Sequence, residues 1–231
     1  VEGNGGQNNA YTTNDLTVYY ETLPKEHFEV VADLEADRMQ NLLLAKDSFE
    51  KERLVVLEER RMRYENSDRG KLYLEMMKNV FEGTPYGNSV IGEVEDLKAL
   101  SRDDVQKYFK KFYAPNNAVI VVVGNLDPEY VFEVISKKYE DIEASDNLEK
   151  TKASLVSKEK FKFKENLSET IRLKGTSPNS LFSLAFKGVR IGEKDGFVLD
   201  ILSSILGDGE SSYLNQKYKL EKTLRIINYL L

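Results

Sequence analysis

Two glutamates, Glu52 and Glu59, stand seven residues apart in the stretch FEKERLVVLEERRMRYEN, residues 49–66. Seven residues make almost two turns of an α-helix, so both acids share one face, with Val55 between them. A carboxylate turned inward is costly unless it is paired, hydrogen-bonded or bound to a metal. Spacing alone favours a solvated, charged face over a metal-linked pair. Arginines that could satisfy the acids are Arg53, Arg60 and Arg63.

The sequence predicts that this helix is one of several. Pro24 marks the start of an amphipathic helix before it, whose apolar positions include Phe28, Val31, Leu34 and Met39. Asp47 and Glu50 have the spacing of a capping box and place the start of the glutamate-bearing helix. Further helices are predicted around 70–83, 101–113 with Ser101 as cap, and 127–142 with Asp127 as cap.

Strands are predicted at two places in the first part of the chain. Residues 16–22 are rich in β-branched and aromatic side chains. The run NNAVIVVVGNL, 116–126, has the continuous apolar character of a buried strand. The polar, unpatterned stretch 143–160 is a candidate linker. Beyond it we expect strands near 170–175 and 180–189, helices near 193–207 and 212–222, and a turn at GDGES, 207–211.

Composition limits the classes of function. The 231 residues can bury a sizeable core, and 41% hydrophobic content fits a soluble globular protein. The net charge of −6 argues against nucleic acid as a partner. With no cysteine, the chain has neither disulfides nor thiolate metal sites. Its longest apolar runs fall far short of a membrane span, which needs roughly 20 residues.

Read in order along the chain, several strings resemble the bacterial members of the M16 metallopeptidases, the family of pitrilysin, insulin-degrading enzyme and the mitochondrial processing peptidase. The strings are NNAYTTNDLTVYY, EADRMQNL, FEKERLVVLEERRMRYEN, PYGNSVIG, LKALSRDDVQKYFKKFYAPNNAVIVVVGNLD and ILGDGESSYLNQ. None is specific alone, but their joint order is. The resemblance implies an α+β fold, a mostly antiparallel sheet with helices on one face, built from repeated units. Residues 1–147 would be most of a first unit and 154–231 the start of a second.

The resemblance also implies a zinc-dependent endopeptidase. In that family two histidines of an H-x-x-E-H motif and a downstream glutamate hold zinc, and a further glutamate precedes the ligand by one heptad. Carried over, Glu59 would bind Zn²⁺ and Glu52 would support the site from outside the ligand shell. Peptides would be cleaved in a chamber formed with a second M16 half or a partner subunit. The rival class is a non-catalytic M16-like subunit or scaffold that binds peptide or a partner chain without metal.

The sequence departs from the family at the metal motif. It contains a single histidine, His27, and no H-x-x-E-H. His27 is better explained as an early residue of the helix after Pro24 than as a ligand. By resemblance the motif belongs ~20 residues before Val1. We therefore expect a fragment whose histidine ligands lie upstream, and expect the 231 residues alone to be inactive.

Peptide contacts are predicted near the start of the chain. Asn8, Asn9, Ala10 and Tyr11 match the family segment that lines the cleft beside the zinc. An exposed edge there could take an extended peptide as an added strand. A plain turn leading into an edge strand explains the two asparagines equally well. The stretches 85–92 and 207–211 are interpreted as turns without chemistry, since the second lacks the Lys and spacing of a phosphate loop.

Overall fold

A computed structural model describes residues 1–146, 148, 170–178, 180–186 and 188–220. In these residues seven α-helices and one β-hairpin are present. The strands are β1 (Gln7–Thr12) and β2 (Thr17–Thr22). The helices are α1 (Phe28–Asn41), α2 (Lys46–Arg60), α3 (Asp68–Val80), α4 (Val94–Ala99), α5 (Arg102–Phe112), α6 (Pro128–Tyr139) and α7 (Lys194–Gly207).

The chain divides into two compact units. The first comprises Val1–Val55 and Gly92–Lys160, and the second comprises Val56–Ile91 and Phe161–Leu231. The division therefore falls inside α2, after Val55. The predicted boundary between 147 and 154 lies largely outside the described residues and stays a prediction.

In the first unit, β1 and β2 form an antiparallel hairpin joined by residues 13–16. The amide of Thr13 donates to the carbonyl of Leu16 over 2.8 Å and closes the loop. Strand β2 confirms the strand predicted at 16–22. With only these two strands in the described residues, the sheet is smaller than the one expected, while the combination of helices with an antiparallel sheet holds. The repeated units stay a prediction.

Helix α1 packs on α6 within the same unit. The rings of Phe28 and Tyr130 lie 6.1 Å apart, and the Tyr130 hydroxyl donates to the Glu29 carboxylate over 2.7 Å. The buried positions of α1 are Phe28, Ala32 and Ala36, which recur every four residues. The predicted apolar face was wrong at Leu34, which is exposed. The buried stripe of α1 thus consists of one aromatic and two small side chains.

Helix α2 begins at Lys46, one residue before the predicted cap. Asp47 lies in its first turn, where its negative charge interacts favourably with the positive end of the helix dipole. After Arg60 the backbone widens into a π-helical turn, Arg61–Glu65, before α3 begins. The predicted caps Ser101 and Asp127 are both confirmed, and Ser101 forms a reciprocal capping box with Asp104.

The prediction of a buried strand at 116–126 was wrong. Residues 118–123 pair with no strand in the described part of the chain. Val119, Val121 and Val123 are 90%, 78% and 92% exposed. A continuous apolar run specifies a strand only where a neighbouring strand supplies the ladder hydrogen bonds.

In the second unit, the strands predicted near 170–175 and 180–189 are absent from the described residues of those ranges. The helix predicted near 193–207 is confirmed as α7. The turn at 207–211 is also confirmed, with Gly209 at φ +77° and its carbonyl accepting from the Asn215 side chain over 2.7 Å. The predicted linker at 143–160 lies mostly outside the described residues.

Candidate functional site

Glu59 lies in the last turn of α2 and points to solvent. Its side chain is 48% exposed, and its Oε1 accepts a 2.7 Å hydrogen bond from the Arg63 guanidinium. Arg63 belongs to the π-helical turn that follows α2. Turns of this kind occur frequently at functional sites. The carboxylate is thus accessible, and a cation already contacts it from its own segment.

Glu52 lies on the same helix and is exposed. In the part of the chain that the structure describes, no hydrogen bond or ion pair reaches its carboxylate. The neighbouring Arg53 is engaged elsewhere: it donates to the carbonyl oxygens of Lys98 and Leu100 over 3.2 and 3.1 Å, and it also pairs with Glu50. Arg53 therefore joins α2 to the end of α4 and does not neutralise Glu52.

The third arginine, Arg60, is buried, with 7% of its surface exposed. Its guanidinium donates to Glu65 over 2.7 Å. A buried guanidinium needs such a partner, because its charge cannot be neutralised by losing a proton. Of the three arginines near the acids, Arg63 is the one that contacts Glu59.

A catalytic zinc takes three protein ligands and leaves one position open. Among the described residues, no group of three or more His, Asp or Glu side chains is placed to hold a metal. His27 ends a short 3-10 turn, Lys25–His27, just before α1. The described residues therefore do not by themselves fit a zinc site, and among them Glu59 could supply one ligand of such a set.

The predicted peptide-binding residues all lie in β1. They face β2 in a fixed register, with Asn8 opposite Glu21 and Ala10 opposite Tyr19. The hydrogen bond between Thr13 and Leu16 identifies the bonded pairs of the ladder, and bonded and non-bonded pairs alternate. It follows that Asn8, Ala10 and Thr12 direct their amides and carbonyls away from β2, toward the outer edge of the hairpin.

One of these outward groups already has a local partner. The Ala10 amide donates to Oδ1 of Asn9 over 2.8 Å. Asn9 and Tyr11 place their side chains on the opposite face of β1 from Ala10. The ring of Tyr11 lies 6.3 Å from that of Tyr20. Asn8 and Ala10 thus offer main-chain edge groups, while Asn9 and Tyr11 offer side chains.

The acid pair Glu21 and Glu35, beside the hairpin, is not indicated by any sequence pattern. Burial raises the pKa of Glu21, and the charge of Glu35 and a hydrogen bond to it add to this, against an opposing effect of Arg38. Arg38 pairs with Glu35, and its guanidinium lies 3.9 Å from the Tyr19 ring centroid. The Tyr19 hydroxyl is 2.8 Å from that of Tyr113. These groups come from β2, from α1 and from the residue after α5, so no local pattern in the sequence brings them together.

Comparison with known proteins identifies the class. Residues 1–94 match the family model described as insulinase (peptidase family M16). Residues 99–226 match the model described as the peptidase M16 inactive domain. The chain belongs to the M16 peptidase family, which confirms the resemblance seen in its motifs.

Individual relatives support the same family assignment. The chain is 32% identical over 220 residues to the zinc protease PqqE of Helicobacter pylori, covering 95% of this chain and 49% of that protein. It is 27% identical to a probable mitochondrial-processing peptidase subunit beta of Arabidopsis thaliana, covering 90% of this chain and 38% of that protein. The crystal structure of a protease from Helicobacter pylori superposes with a TM-score of 0.75 at 28% identity, covering 96% of this chain and 52% of that one.

The chain thus spans about half the length of the curated Helicobacter relative. Relatives in the family are named zinc proteases, and at least one is named as a subunit. None of the helices in the described part of the chain combines the length and apolar character needed to cross a bilayer.

Proposed function

We propose that this chain is part of a zinc-dependent metalloendopeptidase that cleaves peptides and unfolded segments in an enclosed chamber. The observation that carries the proposal is the accessible Glu59 carboxylate in a chain region that matches the insulinase-family model. The match to a named zinc protease over 95% of the chain supports the same conclusion.

In this proposal Glu59 supplies one carboxylate ligand and the remaining ligands come from residues outside this chain. Zinc, when bound, polarises the scissile carbonyl and lowers the pKa of a water molecule. Arg63 occupies Oε1 of Glu59, so zinc would bind through Oε2 or displace the arginine from Oε1. Glu52, with its carboxylate exposed on the same helix, acts as a supporting acid that orients the ligand set.

The β1 edge binds the substrate backbone. An extended peptide pairs with the outward amides and carbonyls of Asn8, Ala10 and Thr12, in the manner of β-strand addition. Main-chain pairing demands little of the peptide side chains, so the proposed specificity is broad. The Asn9 side chain, which holds the Ala10 amide, is displaced when a peptide carbonyl takes its place.

The chamber requires more than this chain. A second M16 half or a partner subunit closes it, consistent with a chain that spans about half the length of the curated Helicobacter relative. We expect no peptide hydrolysis by the 231 residues alone. Hydrolysis by the purified, zinc-loaded 231-residue chain would contradict this part of the proposal.

The test uses the longer protein that contains this chain and an unstructured fluorogenic peptide. Glu59→Gln should abolish hydrolysis, while Glu58→Gln should retain it. Glu58 is a matched control because it is also exposed on α2 and pairs with an arginine, Arg61, over 2.6 Å. Ala10→Pro removes the outward amide and should raise KM, whereas Ala10→Ser, which keeps the amide, should not.

A second candidate is a non-catalytic M16-like subunit that binds peptide or a partner chain without metal. The ion pair between Glu59 and Arg63 favours it, since the carboxylate is then satisfied within its own segment. The match of residues 99–226 to an inactive-domain model favours it as well. In that case Glu59→Gln and Glu58→Gln would have equally small effects on peptide binding and on zinc content.

A further inference from the structure

Asp68, the first residue of α3, makes contacts that a helix-end acid does not require. Its Oδ2 accepts hydrogen bonds from the amides of Thr176 and Ser177 over 2.7 and 2.6 Å. The Thr176 hydroxyl lies 3.3 Å from the same oxygen. The Asp68 side chain is 13% exposed, so these donors replace most of its water. Bonds from amides to an ionised carboxylate are stronger than those between neutral groups.

The backbone at Gly175 permits this approach. A Cβ added to Gly175 would lie 2.8 Å from Oδ2 and 2.9 Å from Cγ of Asp68. Any side chain larger than hydrogen would therefore force the Asp68 carboxylate and the segment 175–177 apart, through a shift of one or the other. The contact therefore depends both on the Asp68 carboxylate and on the absence of a side chain at Gly175.

The contact joins distant parts of the sequence within the second compact unit. Asp68 belongs to the stretch matched by the insulinase-family model, whereas 175–177 belongs to the stretch matched by the inactive-domain model. We propose that Asp68 is a positioning residue that clamps the segment 175–177 to the start of α3, and so couples the two family portions of the chain. The clamp does not depend on metal binding by Glu59.

The electrostatics of the contact agree with a clamp. The amide of Ser177 lowers the pKa of the Asp68 carboxyl, with the Thr176 amide, its hydroxyl and the charge of Lys71 adding to the effect. The Lys71 ammonium lies 3.6 Å from Oδ1, on the same helix. In the described residues, the contacting segment contributes neutral donors. The carboxylate is thus held charged by the segment it binds.

Limited digestion with trypsin measures how often the clamp opens, because trypsin cleaves after Lys174, which immediately precedes the clamped segment. When local opening is fast, cleavage tracks the population of the open form. Asp68→Ala and Gly175→Ala should each speed cleavage after Lys174 by roughly tenfold or more, because both break the contacts at Oδ2 and the loss of a single charge-assisted hydrogen bond already corresponds to about that factor. The double variant should be no faster than either single one, since both remove the same contact.

Asp195→Asn is the matched control, because Asp195 also lies in the first turn of a helix, α7, and its cleavage rate should equal that of the unaltered chain. If Asp68→Ala does not fold, Gly175→Ala still tests the clamp with the carboxyl intact. An NMR titration should then show the pKa of Asp68 rising toward its ordinary value in Gly175→Ala. Unchanged cleavage in Gly175→Ala together with an unchanged Asp68 titration would overturn the proposal.

Discussion

The Arg63 guanidinium donates a 2.7 Å hydrogen bond to Oε1 of Glu59, four residues earlier in the chain. The pair bridges the last turn of α2 and the π-helical turn behind it. An arginine at this position competes with any other cation for the same oxygen. We therefore expect the pair to oppose metal binding at this oxygen, by the small amount that an exposed ion pair contributes.

Removing the competing cation should strengthen zinc binding. In the longer protein, Arg63→Gln is expected to raise zinc affinity roughly two- to fivefold, because exposed ion pairs of this kind contribute little free energy. Competition with a chelator measures the change. Arg61→Gln is the control, since Arg61 pairs with Glu58. An equal gain from both variants would show a general charge effect and contradict the specific role of Arg63.

The acid pair Glu21 and Glu35 should make the stability of the folded chain depend on pH. A carboxyl whose pKa is raised by folding stabilises the folded state fully below its unfolded value, 4.5 for Glu21. That contribution is lost as the pH rises through the folded-state pKa. The groups facing Glu21 are Glu35 and Arg38 on α1, and Tyr139 at the end of α6 also senses this cluster.

Glu21→Gln keeps the shape of the protonated acid without its titration. The variant should therefore have a higher Tm than the unaltered chain at pH 7, and the difference should shrink toward pH 4. Thermal unfolding followed by circular dichroism over this range measures it. Glu26→Gln, which removes an exposed acid nearby, should show no such pH-dependent gain. A difference in Tm between Glu21→Gln and the unaltered chain that stays the same at every pH would contradict the coupling of Glu21 to Glu35.

Gly70 allows α3 to approach the π-helical turn after Glu59. A Cβ at this position would overlap the Arg63 carbonyl oxygen and lie 2.7 Å from Cα of Tyr64, and backbone atoms cannot move aside cheaply. Gly70→Ala should destabilise the chain by about 1–3 kcal/mol, measured by urea unfolding. Gly3→Ala, where no atom lies within 4 Å of the new methyl group, is the control. Equal stability of the two variants would contradict the close packing.

The exposed run at 118–123 predicts self-association of the 231-residue chain. Its valines form an uncharged, β-branched surface without a paired neighbour in the described residues. Val121→Lys should reduce concentration-dependent association, measured by light scattering after size-exclusion chromatography. Val30→Lys, which alters an exposed valine on α1 outside this run, should have a smaller effect. Monomeric behaviour of the unaltered chain at high concentration would contradict the prediction.

The helices were predictable because their signals are local. Ser101 and Asp127 cap the helices that they were expected to cap. In each cap a side-chain oxygen accepts from the amide three residues later, so the cap depends only on a few neighbouring residues. Strands depend on partners far away in sequence. The run at 118–123 has strong β-propensity, yet no strand pairs with it in the described part of the chain.

The candidate site shows the same limit. Spacing placed Glu52 and Glu59 on one helix, which is confirmed, but could not choose among three arginines as partners. Arg53 reaches the end of α4, far away in sequence, and Arg60 pairs with Glu65 in the π-helical turn, so helical spacing alone predicts neither partner. The contact between Asp68 and Thr176 spans 108 residues, so no local pattern announces it.

The central claim is that Glu59 is a zinc ligand in the longer protein, and a calorimetric zinc titration tests it most directly. Glu59→Gln should weaken binding by about 100-fold or more, and Glu52→Gln by roughly 10–100-fold, as expected for a residue that supports a ligand. Glu58→Gln, the matched control on the same helix, should bind zinc as the unaltered protein does. Zinc binding by Glu59→Gln with unaltered affinity would contradict the account.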